Sequence, residues 1–139
     1  MSAYLDTSVL IAALCNEPRT AEISAWLASR DSLLISSWNV TEFASALSLK
    51  MRSGTIVESD REVARRGFDL LIRETFMQVS VVAEDFERAA RFADMHALRL
   101  RGGDALHLAV AARAEATLCT LDKRQAEAGK ALNVPTLLL

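Results

Sequence analysis

Short apolar segments separated by helical patterns run the length of the chain, and this alternation restricts the fold more than any other feature. The strand candidates are Ala3–Leu5, Leu33–Ser36, Phe76–Val82, Thr117–Thr120 and Thr136–Leu138. Strands joined by a tight turn pair antiparallel, whereas a helix between them carries the chain back over the sheet and leaves them parallel. Helical patterns fill the intervals here. Asn16-Glu17-Pro18 places proline in a first helical turn and leads to Ile23, Trp26 and Leu27 at helical spacing. Ser36 or Ser37 caps a helix running toward Arg52, ahead of Gly54. Ser59-Asp60-Arg61-Glu62 has the form of a capping box, opening a helix to about Glu74. Glu84–His96 reads as amphipathic with Phe86, Ala89, Ala90 and Ala93 inward. Asp104–Ala116 is apolar on nearly every side, the pattern of a helix packed between other elements. The expectation is an α/β fold with three layers, α/β/α, about a central parallel sheet. With 139 residues the chain is expected to form a single domain, residues 1–139, with its own core.

Composition narrows the function classes. No apolar run approaches the roughly 20 residues that span a bilayer, and the N-terminus lacks the basic and apolar regions of a signal peptide. The expected location is the cytoplasm, with no membrane partner. Cys15 and Cys119 are too few and too far apart for a disulfide framework or a zinc site, and each reads as a buried reduced thiol. A net charge of −2 does not advertise a nucleic-acid binder, so work on phosphates would need a local basic patch or metal ions. Walker A, GxGxxG and GxSxG motifs are missing.

Four acids stand where solubilising carboxylates are not expected. Asp6 ends the first apolar strand, Glu42 lies within an apolar helix, Asp104 follows Gly102-Gly103, and Asp122 follows the fourth strand. Brought together they repel by roughly 4 kcal/mol per pair at about 4 Å and an effective dielectric near 20. Such a cluster suits hard divalent cations. In open parallel sheets ligands bind outside the carboxyl ends of the strands, where Asp6 and Asp122 belong. Taken singly, Asp6, Asp104 and Asp122 serve equally well as helix caps. Glu42 does not, since it falls beside Trp38, Ala46 and Leu49, away from the polar stripe of Thr41, Ser45, Ser48 and Arg52. A carboxylate there must be paired, protonated or bound to a cation. Thr7, Ser8 and Thr120 accompany the acids and suit their orientation by hydrogen bonds. Arg99, Arg101, Lys123 and Arg124, with Lys50 and Arg52 farther off, are candidates for phosphate contacts or simple surface charges. His107, among Leu106, Leu108 and Val110, reads as a packed histidine with a hydrogen-bond partner.

Tyr4-Leu5-Asp6-Thr7-Ser8, Glu42, Gly103-Asp104-Ala105-Leu106-His107-Leu108-Ala109 and Thr120-Leu121-Asp122, in this order and spacing, resemble the PIN-domain ribonucleases, and among them the toxins of VapBC toxin–antitoxin pairs. The resemblance extends over essentially the whole chain. It implies a parallel-sheet PIN fold, a carboxylate site for Mg²⁺ or Mn²⁺, endonucleolytic cleavage of RNA, homodimers and neutralisation by a cognate antitoxin. By position, Asp6, Glu42 and Asp104 would be the primary catalytic and metal-binding acids, with Asp122 the fourth. This chain departs from the family in carrying Gln125 where an aromatic or aliphatic residue is frequent, and basic Lys123 and Arg124 where some members have a further acid.

Physically, carboxylates at strand ends hold one or two divalent ions, which neutralise charge on a scissile phosphate and lower the pKa of an attacking water. Rival readings are a non-catalytic PIN-like interaction module whose acidic pocket binds a basic partner segment, and a haloacid-dehalogenase-like phosphatase. The phosphatase would want an Asp two residues after its nucleophile, where Ser8 stands. A nuclease acting on DNA fits the same chemistry, because metal–phosphate contacts do not read the 2′-hydroxyl.

Overall fold

The computed structural model describes residues 1–139. Five strands, β1 (Ala3–Leu5), β2 (Leu33–Ser36), β3 (Phe76–Val79), β4 (Thr117–Thr120) and β5 (Thr136–Leu138), form one parallel sheet in the order β3-β2-β1-β4-β5. Seven helices cover it: α1 (Thr7–Leu14), α2 (Thr20–Ala28), α3 (Ser37–Arg52), α4 (Glu58–Glu74), α5 (Ala83–Asp94), α6 (Gly102–Arg113) and α7 (Lys123–Ala131). Side chains alternate across a strand, and the sheet separates two cores accordingly. Ala3, Leu5, Leu33, Ile35 and Cys119 face one core with Val9, Ile23, Phe43, Leu47, Ala64 and Phe68 from α1–α4. Tyr4, Leu34 and Leu118 face the other, with Ala89, Leu106, Leu108, Val110 and Ala128 from α5–α7. The result is the expected three-layer α/β/α arrangement.

β1 is central, paired with β2 through Ala3↔Leu33 and Tyr4↔Leu34, and with β4 through Ala3↔Thr117 to Leu5↔Cys119. The chain therefore runs outward from β1 to β3 on one side, then returns to place β4 and β5 on the other. This reversal is the topological switch point that opens a crevice at the carboxyl ends of β1 and β4. Asp6 and Asp122 follow these two strands.

Several local boundaries differ from the sequence reading, each through a side chain the pattern did not resolve. β3 stops at Val79, because the Val82 N–H donates to Asp85 Oδ2 (3.0 Å) and α5 begins at once. Asp85 turns inward, and the buried face of α5 follows it as Asp85, Ala89 and the partly buried Phe92. That rotates the helix from the expected face, leaving Phe86 58% exposed and Ala90 outside. α4 starts at Glu58 because Asp60 Oδ2 accepts the Val57 N–H (3.0 Å), so Ser59 is inside the helix and is not its cap. Pro18 precedes α2, whose first residue is Thr20. α6 starts at Gly102, making Asp104 its third residue and not its cap, and the left-handed Glu115 (φ 51°) lies beyond its end.

Candidate metal centre

Asp6 caps α1 from the end of β1. Its Oδ2 accepts from the Ser8 N–H (3.3 Å), the Ser8 hydroxyl (2.5 Å) and the Thr120 hydroxyl (3.1 Å). Three donors on one oxygen leave Oδ1 toward His107 Nε2, 3.5 Å away. The residue is only 6% exposed, and a carboxylate so buried needs these charge-assisted bonds to stay in place. Ser8 also accepts the Leu121 N–H (3.1 Å), and Thr120 accepts the Asp122 N–H (2.9 Å), which ties the chain after β4 to the start of α1.

Glu42 enters from α3, one helical turn after the buried Asn39. Its Oε1 accepts from the Thr7 hydroxyl (2.7 Å) and forms a short hydrogen bond with His107 Nε2. Burial pushes the Glu42 carboxyl upward, but the hydrogen bonds from His107 and the Thr7 hydroxyl outweigh it and hold the carboxyl below its usual value. Asn39 donates to the Leu5 carbonyl (2.9 Å) and to Thr7 Oγ1 (3.2 Å), and accepts the Ser36 N–H (2.8 Å). It thereby holds α3 against the end of β1.

Asp104 faces the same cleft from the first turn of α6. Burial, then the charges of Asp6 and Asp122, push its carboxyl up to about 6. Asp122 caps α7 through Oδ1, which accepts from Arg124 N (2.8 Å) and Gln125 N (3.3 Å), and is itself exposed. Buried Gln125 donates its side-chain amide to the Asp104 carbonyl (3.3 Å), joining the two acid-bearing helix starts.

All four acids, with Thr7 and Ser8, line one open cleft at the carboxyl edge of the sheet, and Glu17 joins them at its rim. The tightest group is Asp6, Glu42 and His107, whose ligand atoms lie within 4.8 Å of one another. The donor chemistry, several carboxylates facing one open cleft, fits a hard divalent cation. Of the basic residues, Arg99, Lys123 and Arg124 border a depression that shares Asp122 with the acid cleft, whereas Arg101 is exposed at the start of α6. Lys50 is paired with Glu17 (2.9 Å), and Arg52 donates to Ser48 (2.9 Å).

Sequence reading assigned no site role to His107, Tyr4, Asn39 or Ser36. His107 is fully buried with hydrogen-bond partners, as its apolar neighbours lead one to expect, but those partners belong to the acid cluster. Its place three residues after Asp104, on the same helical face, was the available signal.

Gly103 marks how closely α6 approaches α3. A Cβ there would lie 3.1 Å from Glu42 Oε2 and 3.2 Å from Trp38 Cζ2, while Gly102 has open space. Gly102→Ala is expected to stabilise by about 0.5 kcal/mol through helix propensity. Gly103→Ala is expected to lose that gain and cost about 1 kcal/mol through overpacking. Thermal melts of the two variants measure the contrast; equal shifts would mean the approach is loose.

By sequence, no curated protein matches the chain. Solved structures do. One component of the FitAcB structure from Neisseria gonorrhoeae is 20% identical with a TM-score of 0.69, covering 97% of this chain and 96% of that one. VapC20 from Mycobacterium tuberculosis, described as a sarcin-ricin loop cleaving toxin, is 20% identical with a TM-score of 0.73, covering 92% and 95%. A chain of VapBC2 from Rickettsia felis, bound to a promoter DNA fragment, is 16% identical with a TM-score of 0.72, covering 100% and 99%. At such identities the likeness establishes the fold alone. The family model for the PIN domain matches residues 3–131, nearly the whole of the chain, and on that match the protein belongs to the PIN-domain family.

Proposed function

We propose that this PIN-domain protein is a metal-dependent endoribonuclease, the toxin of a type II toxin–antitoxin pair. The observation that carries the reading is the convergence of Asp6, Glu42, Asp104 and Asp122 on one open cleft at the switch point of the sheet. Asp6, Glu42 and Asp104 would hold Mg²⁺ or Mn²⁺, with Asp122 at the outer edge. When bound, a divalent cation supplies charge neutralisation at a phosphate and activation of a water. The chain's own residues do the rest. Thr7, Ser8 and Thr120 orient the carboxylates, and Ser8 and Thr120 also pin the segment leading to Asp122. Arg99, Lys123 and Arg124 flank the cleft on the Asp122 side and would receive the flanking RNA phosphates, with exposed Arg101 nearby in sequence. A local basic border of this kind supports an RNA substrate despite the net charge of −2.

The FitAB and VapBC structures among the structural neighbours support a cognate antitoxin as partner, and a homodimer would place two such basic borders in one assembly. No helix is long and apolar enough to cross a membrane, and the location that goes with the proposed RNA substrate is the cytoplasm.

Purified protein with Mn²⁺ or Mg²⁺ and a structured RNA tests the reading, with chelator and a carboxylate variant as controls. Metal-dependent cleavage that the variant lacks is expected. Binding of a basic peptide without any cleavage would favour an interaction module instead.

The cluster also predicts a pH dependence. Asp104 must lose its proton to take a cation, and its carboxyl is raised to about 6. Mn²⁺ affinity is therefore expected to rise between about pH 5 and 7. Without metal the sign reverses. The folded chain keeps a proton that the unfolded chain releases near pH 4, so the Asp104 contribution to stability is present below about pH 4 and is lost as pH rises through about 6. Asp104→Asn should remove this dependence and stabilise the metal-free protein at pH 7 by about 1–2 kcal/mol, less than the full shift because solvent screens this partly exposed group. Urea unfolding at pH 4, 5, 6 and 7 checks it; a flat difference between the two proteins would refute it.

A further inference from the structure

A directed set of hydrogen bonds runs through the second core to Glu42. Ser36 Oγ lies 2.8 Å from Tyr4 Oη, Tyr4 Oη lies 3.0 Å from His107 Nδ1, and His107 Nε2 meets Glu42 Oε1. Tyr4, Ser36 and His107 are all fully buried, so none has water as an alternative partner. Directions follow from the end of the set. An ionised carboxylate only accepts, so Nε2 carries the hydrogen. In the neutral ring Nδ1 must then accept, which makes Tyr4 the donor to His107 and the acceptor from Ser36. The Ser36 N–H is given to Asn39 Oδ1 (2.8 Å), and Asn39 Nδ2 reaches Thr7 Oγ1, which leaves the Thr7 hydroxyl to donate to the same Glu42 oxygen. Both donors on Glu42 Oε1 are thus fixed from behind, while Oε2 is left toward Gly103 at the cleft.

We propose that Tyr4 is a positioning residue: its hydroxyl holds His107 as the Nε2–H tautomer, and His107 in turn sets the Glu42 carboxylate for a divalent cation. The inference rests on the metal reading of the cleft. Outer partners of this kind change metal affinity by about 10–100-fold when removed. Tyr4 acts only through His107, so its effect must vanish when the ring is gone.

The test is a double-mutant cycle on Mn²⁺ affinity of the metal-free protein, measured by electron paramagnetic resonance. Tyr4→Phe removes one oxygen and is expected to weaken Mn²⁺ binding about tenfold. His107→Gln keeps a donor near the Nε2 position and is expected to retain most of the affinity; adding Tyr4→Phe to it is expected to change nothing further. Equal losses from Tyr4→Phe in both backgrounds, or none in either, overturn the proposal. Long-range ¹H–¹⁵N spectra of the wild type supply a readout independent of metal. An Nε2–H tautomer is expected, and an Nδ1–H or doubly protonated ring overturns the assignment. Ser36→Ala, which touches neither His107 nor Glu42, is expected to weaken Mn²⁺ binding two- to threefold and guards against a folding defect in Tyr4→Phe; unchanged affinity would remove Ser36 from the relay. If the wild type binds no Mn²⁺, the metal reading falls together with this role. If it binds and Tyr4→Phe binds alike, only the role of Tyr4 falls.

Discussion

Asp6→Asn is expected to lower metal-dependent RNA cleavage by about 10³-fold, the scale on which preorganised charge stabilisation is lost, without unfolding the protein. The asparagine carbonyl oxygen can take over the bonds that Asp6 Oδ2 receives from Ser8 and Thr120, so the start of α1 and its tie to β4 survive. What disappears is one negative charge from a group whose ligand atoms lie within 4.8 Å. The melting temperature without metal should accordingly hold or rise, because repulsion within the cluster is relieved. Mn²⁺ should raise the melting temperature of the wild type but not of the variant, since a ligand stabilises only a fold that binds it. Cleavage rates and melts with and without Mn²⁺ check both halves. Full metal-dependent activity in pure Asp6→Asn would sink the assignment.

The largest stability effect is expected away from the cleft, at Arg113. Asp85 is 2% exposed and accepts from Arg113 Nε (2.8 Å) and Nη2 (2.9 Å), while the same guanidinium reaches the Ser80 carbonyl. Burial pushes the Asp85 carboxyl upward, yet the Arg113 bonds and the Val82 N–H hold it below the usual range. The two partners are not equivalent. Arg113 is partly exposed and can turn to water if Asp85 is removed, whereas Asp85 cannot leave the interior. Arg113→Met should therefore cost about 3 kcal/mol by stranding a buried carboxylate. Asp85→Asn, which keeps an acceptor for the Val82 N–H, should cost about 1 kcal/mol. Because the Asp85 carboxyl is depressed, the stability it lends is present above about pH 4 and is lost as pH falls through its folded value. Denaturant unfolding of both variants at pH 7 decides the matter; equal costs would mean that Asp85 finds water after all.

The four acids were legible as misplaced charges because each interrupts an apolar pattern, and strand ends were legible because β-rich runs break there. Four of the five strand ranges agree with the sequence reading, and the fifth was overrun only where Val82 leaves the ladder to meet Asp85. What escaped were side-chain commitments made at a distance. The inward turn of Asp85 depends on Arg113, 28 positions away, and rotates α5 so that Phe86 faces out. Local amphipathicity carries no trace of that pairing. Tyr4 looked like an ordinary strand aromatic, and its partner His107 lies 103 residues downstream. The departure at Gln125 was visible as a difference in type, but its link to the Asp104 carbonyl required α6 and α7 to be placed first.

The central position of β1 has a consequence for the timing of synthesis. Its two neighbours in the sheet come from opposite ends of translation: β2 begins at Leu33 and β4 only at Thr117. A nascent chain made as far as α5 already holds Asp6 and Glu42, yet it lacks His107 to pair with Glu42 and the Thr120 hydroxyl that holds Asp6. One edge of β1 is still open at that point, and the acid cleft has no second wall. A growing chain therefore holds Asp6 and Glu42 without these partners until α6 and β4 have been made, and the cleft is completed only then.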